Sequence, residues 1–144
     1  MTSINRSALV NYSAEQMYDL VNDIDQYPQF MQGCQSARVI NQSKDELVGE
    51  LTLAKAGLKY TFTTRNTLTR NSKIDMQLVE GAFSQFQACW TFKALKEDAC
   101  KVSLDMEFEF SSGLVDFAME KWFSASTNSL VDSLVLRAEA IYGR

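Results

Sequence analysis

Histidine is absent from the 144 residues of this chain. Composition therefore excludes every mechanism that needs an imidazole base, a Ser-His or Cys-His pair, or a His-rich metal site. Cysteine is scarce. Cys34, Cys89 and Cys100 are odd in number and form no C-x-x-C pair, so free thiols in a reducing compartment are expected, without a disulfide framework or a zinc site. Proline occurs once, at Pro28, and no stretch approaches the roughly 18 continuous apolar residues of a membrane span. No charged leader followed by an apolar run opens the chain, which leads to the expectation of a soluble, cytoplasmic protein with no membrane span. A net charge of −4 disfavours a general nucleic-acid binder, and no DNA partner is expected.

What is present fits one domain, residues 1–144, able to bury a core without disulfides or metal. From Ser112 to Tyr142 the residues Val115, Met119, Trp122, Leu130, Leu134, Ala138 and Ile141 recur at near-helical spacing. The pattern predicts one long amphipathic helix of roughly 45 Å at 1.5 Å per residue. It starts from Ser111 or Ser112 as N-cap and ends before Gly143. So broad an apolar face needs a large partner surface, and the middle of the chain supplies strands. The fold class read from this is α+β: a curved antiparallel sheet wrapped around a long C-terminal helix.

At the other end, Thr2 to Val10 has strand character and leads into Tyr12-Ser13-Ala14-Glu15-Gln16-Met17. Ser13 with Gln16 predicts a capping box, and Tyr12 with Met17 a hydrophobic staple. Asp25 is the candidate cap of a short second turn, in which Ile24, Tyr27 and Phe30 share one side and Pro28 prevents continuation. From Cys34 the period changes to two. Strands follow over Glu46 to Ala54, Lys59 to Thr69, Ile74 to Leu78 and Phe86 to Phe92. Cys100 to Phe110 then alternates without error, and short turns at Ala56-Gly57, Asn71-Ser72 and Gly81 imply a meander.

Two constellations carry functional content. The inward rows place Phe62, Trp90, Phe92, Phe108 and Phe110 against the helix aromatics, including Phe117, with Tyr27 and Phe30 at the elbow. These side chains either fill the core or line an apolar ligand pocket. Thr64 and Asn66 fall on the same inward row, where a polar group needs a partner: each other, a water or a ligand head group. The second constellation is the stretch with Lys55, Lys59, Arg65, Arg70 and Lys73, which contains no acidic residue. It is either a solvated strand face or a phosphate or ribosomal RNA contact. Carboxylates such as Glu107 and Glu109 lie on the exposed face, so no catalytic acid or base and no enzymatic activity are expected.

Leu9-Val10-x-Tyr12-Ser13-Ala14-Glu15-Gln16-Met17-Tyr18, Val21-Asn22-Asp23, Tyr27-Pro28-x-Phe30, Lys55-Ala56-Gly57, Thr63-Thr64-Arg65-Asn66 and Trp90-x-Phe92 together resemble the coenzyme-Q-binding START-like family within the polyketide cyclase and lipid transport superfamily. The likeness runs nearly end to end. It implies the helix-grip fold and two functions. One is that of a ribosome-directed toxin, which binds the large ribosomal subunit, blocks subunit association and so inhibits translation. The other is ubiquinone binding in the apolar cavity in support of respiration. No cofactor is required on either account, and the implied guest is ubiquinone or another isoprenoid lipid. Where the family pattern often has Gly-Pro-Phe, this chain has Gly81-Ala82-Phe83.

Overall fold

The computed structural model describes residues 2–55, 57–111 and 117–143. In chain order these form β1 (Thr2–Val10), α1 (Ala14–Asn22), a 3-10 turn (Ile24–Gln29), β2 (Cys34–Gln42), β3 (Glu46–Lys55) and β4 (Leu58–Thr69). Then come β5 (Lys73–Glu80), β6 (Phe83–Lys96), β7 (Ala99–Phe110), α2 (Phe117–Asn128) and α3 (Leu130–Tyr142). The seven strands make one antiparallel sheet in the order β1-β7-β6-β5-β4-β3-β2. Strands β3 to β7 are the expected meander, and β2 extends it by one strand at the edge. β1 does not join its chain neighbour β2 but crosses to the far edge, where Asn5 lies opposite Asp105. Extra residues in β2, β5 and β6 shift the register and supply the local bends that let so wide a sheet curve.

The start of α1 is as its sequence demands. Ser13 Oγ accepts from the Gln16 amide at 3.1 Å, and the Gln16 side chain accepts from the Ser13 amide at 2.9 Å. Tyr12 and Met17 on either side of this box are both buried. The 3-10 turn holds Pro28 inside it, but it begins one residue before Asp25. Asp23 takes the cap position there without a side-chain bond.

The C-terminal helix is not continuous. Helical structure breaks at Ser129, between α2 and α3. The cause is local. Thr127 donates its hydroxyl to the Phe123 carbonyl at 2.9 Å, Ser129 donates to the Ser126 carbonyl at 3.0 Å, and Ser126 reaches out to the Gln32 carbonyl at 2.7 Å. Two of these hydroxyls, on Thr127 and Ser129, thus compete for carbonyls that a regular helix keeps for its own amides, while Ser126 ties the same turn to another segment. The buried stripe is Phe123, Leu130, Val131, Leu134 and Ala138, whereas Ile141, expected to face inward, is 51% exposed. The N-cap candidate Ser112 lies outside the described residues. The C-terminal end is as read: Gly143, at φ +85°, donates its amide to Glu139.

What joins helix to sheet is an aromatic nucleus. The Phe123 ring sits edge-on to Phe62, Phe83, Phe108 and Phe110, with centroid distances of 5.9, 5.4, 4.9 and 5.6 Å. Phe83 stacks on Phe110 at 4.5 Å. Edge-to-face pairs add about 0.5–1.5 kcal/mol each to the burial of the rings themselves, so Phe123 is the main anchor of α2. β7 supplies the facing wall, with Cys100, Val102, Leu104, Met106, Phe108 and Phe110 all buried.

Candidate functional site

Between the inward face of the sheet and the helices lies a cavity bounded by β3, β4, β5, β6, β7, the 3-10 turn and both C-terminal helices. The wall is apolar: Val21, Ile24, Met31, Leu51, Ile74, Met76, Phe86, Leu104, Met106, Phe123 and Leu130 contribute, with Thr64, Asn66, Thr127 and the Tyr27 ring among them. Its volume is about 40 Å³. A water needs about 10–15 Å³ on this measure, whereas pockets for organic ligands are typically about 300–1,000 Å³. In this conformation the space admits a few waters and no quinone ring.

The polar groups in the wall are used internally. Thr64 donates its hydroxyl to Asn66 Oδ1 at 2.9 Å, so these two buried residues partner each other. Thr127 is held by the Phe123 carbonyl. The Tyr27 hydroxyl donates to the Val21 carbonyl at 2.6 Å. Burial raises its pKa far above the ordinary phenol value, with the nearby Cys34 and Asp23 adding to the shift. Tyr27 is the only titratable group among the described wall residues, and it stays protonated at neutral pH. The wall therefore has no group ready for general acid–base work.

Of the expected cavity residues, Tyr27, Phe62, Thr64, Asn66 and Trp90 do line it. Four do not. Phe30 sits outside, 5.2 Å from the Tyr27 ring and beneath the Arg137 guanidinium at 5.8 Å. Phe92 lies beyond the cavity, edge-on to Tyr18 of α1 at 5.7 Å. Phe108 and Phe110 are spent in the aromatic nucleus around Phe123. Strand alternation selects the face on which a side chain lies, but only the middle rows of that face meet the gap. α1 and Phe123 plug the two ends. The Phe117 side chain lies outside the described residues. Thr127 and Met31 were missed because neither falls on a strand row or on the helical stripe as read from spacing.

The five basic residues between Lys55 and Lys73 do not form one surface. Arg65 pairs with Glu46 at 3.3 Å and Lys73 with Asp75 at 3.4 Å. Arg70 turns onto the Tyr18 ring at 5.9 Å, next to Asp19. Burial raises the Asp19 carboxyl pKa above its ordinary value, and Arg70 offsets part of that shift. Lys59 is exposed near the β3–β4 end of the hairpin, and the Lys55 side chain lies outside the described residues. A strand of 12 residues spans about 40 Å, so its two ends belong to opposite edges of the molecule. Arg65 meets a carboxylate of the neighbouring strand, Lys73 one of its own strand, and Arg70 a residue beside the α1 carboxylate Asp19.

Among the described residues, no group of three or more cysteine, aspartate or glutamate side chains could hold a metal ion. No helix among them is long and apolar enough to cross a membrane.

A family model described as polyketide cyclase / dehydrase and lipid transport matches residues 10–135. The chain belongs to that family. Within the polyketide cyclase / dehydrase and lipid transport family, a relative from Vibrio cholerae named ribosome association toxin RatA is 45% identical over 143 residues, covering 99% of both chains. The coenzyme Q-binding protein COQ10 homolog B of Xenopus laevis is 24% identical, covering 97% of this chain and 59% of that one. The crystal structure of the Zhui aromatase/cyclase from Streptomyces sp. R1128 superposes with a TM-score of 0.82 at 16% identity, covering 96% of this chain and 93% of the other. That likeness is one of fold, and it is the α+β helix-grip architecture expected from the strand and helix pattern.

Proposed function

We propose that this protein binds the large ribosomal subunit and prevents its association with the small subunit, inhibiting translation. One observation carries the reading: the 45% identity to a protein named as a ribosome association toxin extends over 99% of both chains. The cavity supports it indirectly. At about 40 Å³ it is too small for an organic guest as it stands, which favours a function carried by the outer surface. Lacking a titratable group other than Tyr27 among its described wall residues, the cavity also favours a binding role over a cyclase-type activity, although the fold is shared with an aromatase/cyclase.

The test is sedimentation. Purified protein is added to separated subunits at a magnesium concentration that permits their association. The expected profile loses associated particles and shows the protein travelling with the large subunit. Full association, with the protein remaining at the top of the gradient, overturns the proposal.

A second reading, an isoprenoid quinone held between sheet and helices, draws on the Thr64–Asn66 pair within an apolar wall. It needs a roughly tenfold expansion of the cavity to reach the ordinary ligand range. Its test is the melting temperature with and without ubiquinone, together with mass spectrometry of lipids extracted from the purified protein. No rise in melting temperature and no extracted quinone rejects it.

A further inference from the structure

The outward face of the sheet is electrostatically divided along the strand direction. In its first row Lys93 of β6 lies directly opposite Lys101 of β7, and Lys101 lies opposite Leu9 of β1. The next row is Ser7, Ser103, Thr91, Lys73 and Thr69 across five strands. Carboxylates begin only in the third row, with Asp105 and Asp75 flanking Cys89. Two rows therefore carry three lysines and four hydroxyls with no acidic side chain.

Like charges placed directly opposite each other on antiparallel strands are unfavourable. Here nothing in the fold compensates. Lys93 and Lys101 are both exposed, and neither has an ion-pair partner among the described residues. Glu97 and Asp98, in the β6–β7 turn just beyond, pair with neither. Lys73 does have Asp75 at 3.4 Å, but both side chains are about half exposed, and such surface pairs are weak enough to be exchanged for a better anion.

We infer that this quadrant, Lys73, Lys93 and Lys101 with Thr91 and Ser103, is the surface that contacts the phosphate backbone of RNA. The inference rests on the ribosome reading and specifies where that contact is made. The chemistry fits. Ammonium groups act on phosphates as point charges, and the hydroxyl row offers neutral donors of the kind that fix register on a nucleic-acid backbone without reading its sequence. The acidic rows beyond repel phosphate, confining the contact to this end of the sheet. A phosphate partner also removes the Lys93–Lys101 repulsion that the free protein has to carry.

Lys93→Glu makes the test sharp because it separates folding from binding. It converts a like-charge cross-strand pair into an opposite-charge one, so the melting temperature should hold or rise. Co-sedimentation with large subunits should weaken at least tenfold, and the log–log salt dependence of binding should flatten by about one unit for each phosphate no longer neutralised. Lys59→Glu, at the opposite end of the sheet, should weaken binding less. If wild-type protein does not travel with large subunits, the proposed function itself fails. If wild type binds and Lys93→Glu binds equally well, or Lys59→Glu has the greater effect, this surface is wrong. Vesicles containing phosphatidylglycerol provide the remaining arm. Lys93-dependent binding to vesicles, without Lys93-dependent binding to subunits, overturns the assignment to RNA.

Discussion

The amide of Ala82 donates a hydrogen bond to the hydroxyl oxygen of Tyr60 at 2.7 Å. It does so at the tight connection between β5 and β6, where Gly81 has φ +150° and a Cβ on it would come within 2.9 Å of Phe62 Cβ. A proline at this position would have no amide hydrogen to give. Alanine here thus keeps a donor, and Tyr60 is positioned to use it. Tyr60→Phe should cost about 1–3 kcal/mol by stranding the Ala82 amide. Ala82→Pro removes that donor and adds strain of its own, which a double-mutant cycle cancels. The double substitution should therefore cost less than the sum of the two singles. Urea denaturation of the four proteins checks this, and strict additivity would show that the bond contributes nothing.

Phe123 and Ile141 are both large apolar residues of the C-terminal helices, yet the structure assigns them opposite values. Phe123→Ala empties the centre of the aromatic nucleus and should lower stability by about 3–5 kcal/mol. Ile141→Ala should stay within about 0.5 kcal/mol, since that side chain is half in solvent. Denaturant midpoints for the two variants distinguish them directly.

Gly33 has φ +83°, and a Cβ placed on it would meet Trp122 Cζ2 at 2.8 Å. Gly33→Ala therefore combines left-handed backbone strain, about 1–2 kcal/mol for an L-residue, with displacement of the indole. Adding Trp122→Ala should relieve only the steric part. A recovery that is partial, not complete, in equilibrium unfolding is the expected result.

Burial pushes the thiols of Cys34 and Cys100 up to about 11 from 9.0, and the Tyr60 phenol up to about 12 from 10.0. The native state holds these protons more tightly than the unfolded chain does. Their contribution to stability is therefore complete below the unfolded values and is lost as pH rises through the folded ones. The melting temperature should be level through pH 8 and fall progressively between about pH 9 and 12. At pH 8, iodoacetamide should modify the partly exposed Cys89 first and spare the buried Cys34 and Cys100. Mass spectrometry of the alkylated peptides reads this order.

Most of the architecture was legible because it is written in short-range patterns. The Ser13–Gln16 box, the unbroken alternation of β7 and the glycine turns each depend on residues a few positions apart. Ser129 was not legible: whether a hydroxyl bonds its own helix, as Thr127 does, or another segment, as Ser126 does, depends on which carbonyl the fold brings near. The candidate site suffered from the same limit. Alternation placed Phe92, Phe108 and Phe110 on the correct face, but only packing decided that α1 and Phe123 would cover them. The basic stretch is dispersed in space for a related reason. Charges close in sequence were separated along β4, while Lys93 and Lys101, eight positions apart, were made neighbours by a strand register that no local signal specifies.

The crossing of β1 to the far edge of the sheet has a consequence in time. Its partner strand is the last of the seven to be synthesised, about a hundred residues later, as the Asn5–Asp105 side-chain bond shows. At about 5–20 residues per second, β1 waits on the order of 5–20 seconds for anything to pair with. Ile4 and Val10, buried in the finished protein, have no β7 to cover them during that interval. The sheet cannot close until Phe110 has cleared the exit tunnel, and the helices made after it cannot be gripped any sooner. On the ribosome reading, an inhibitor of translation built this way acquires its shape only as its own synthesis ends.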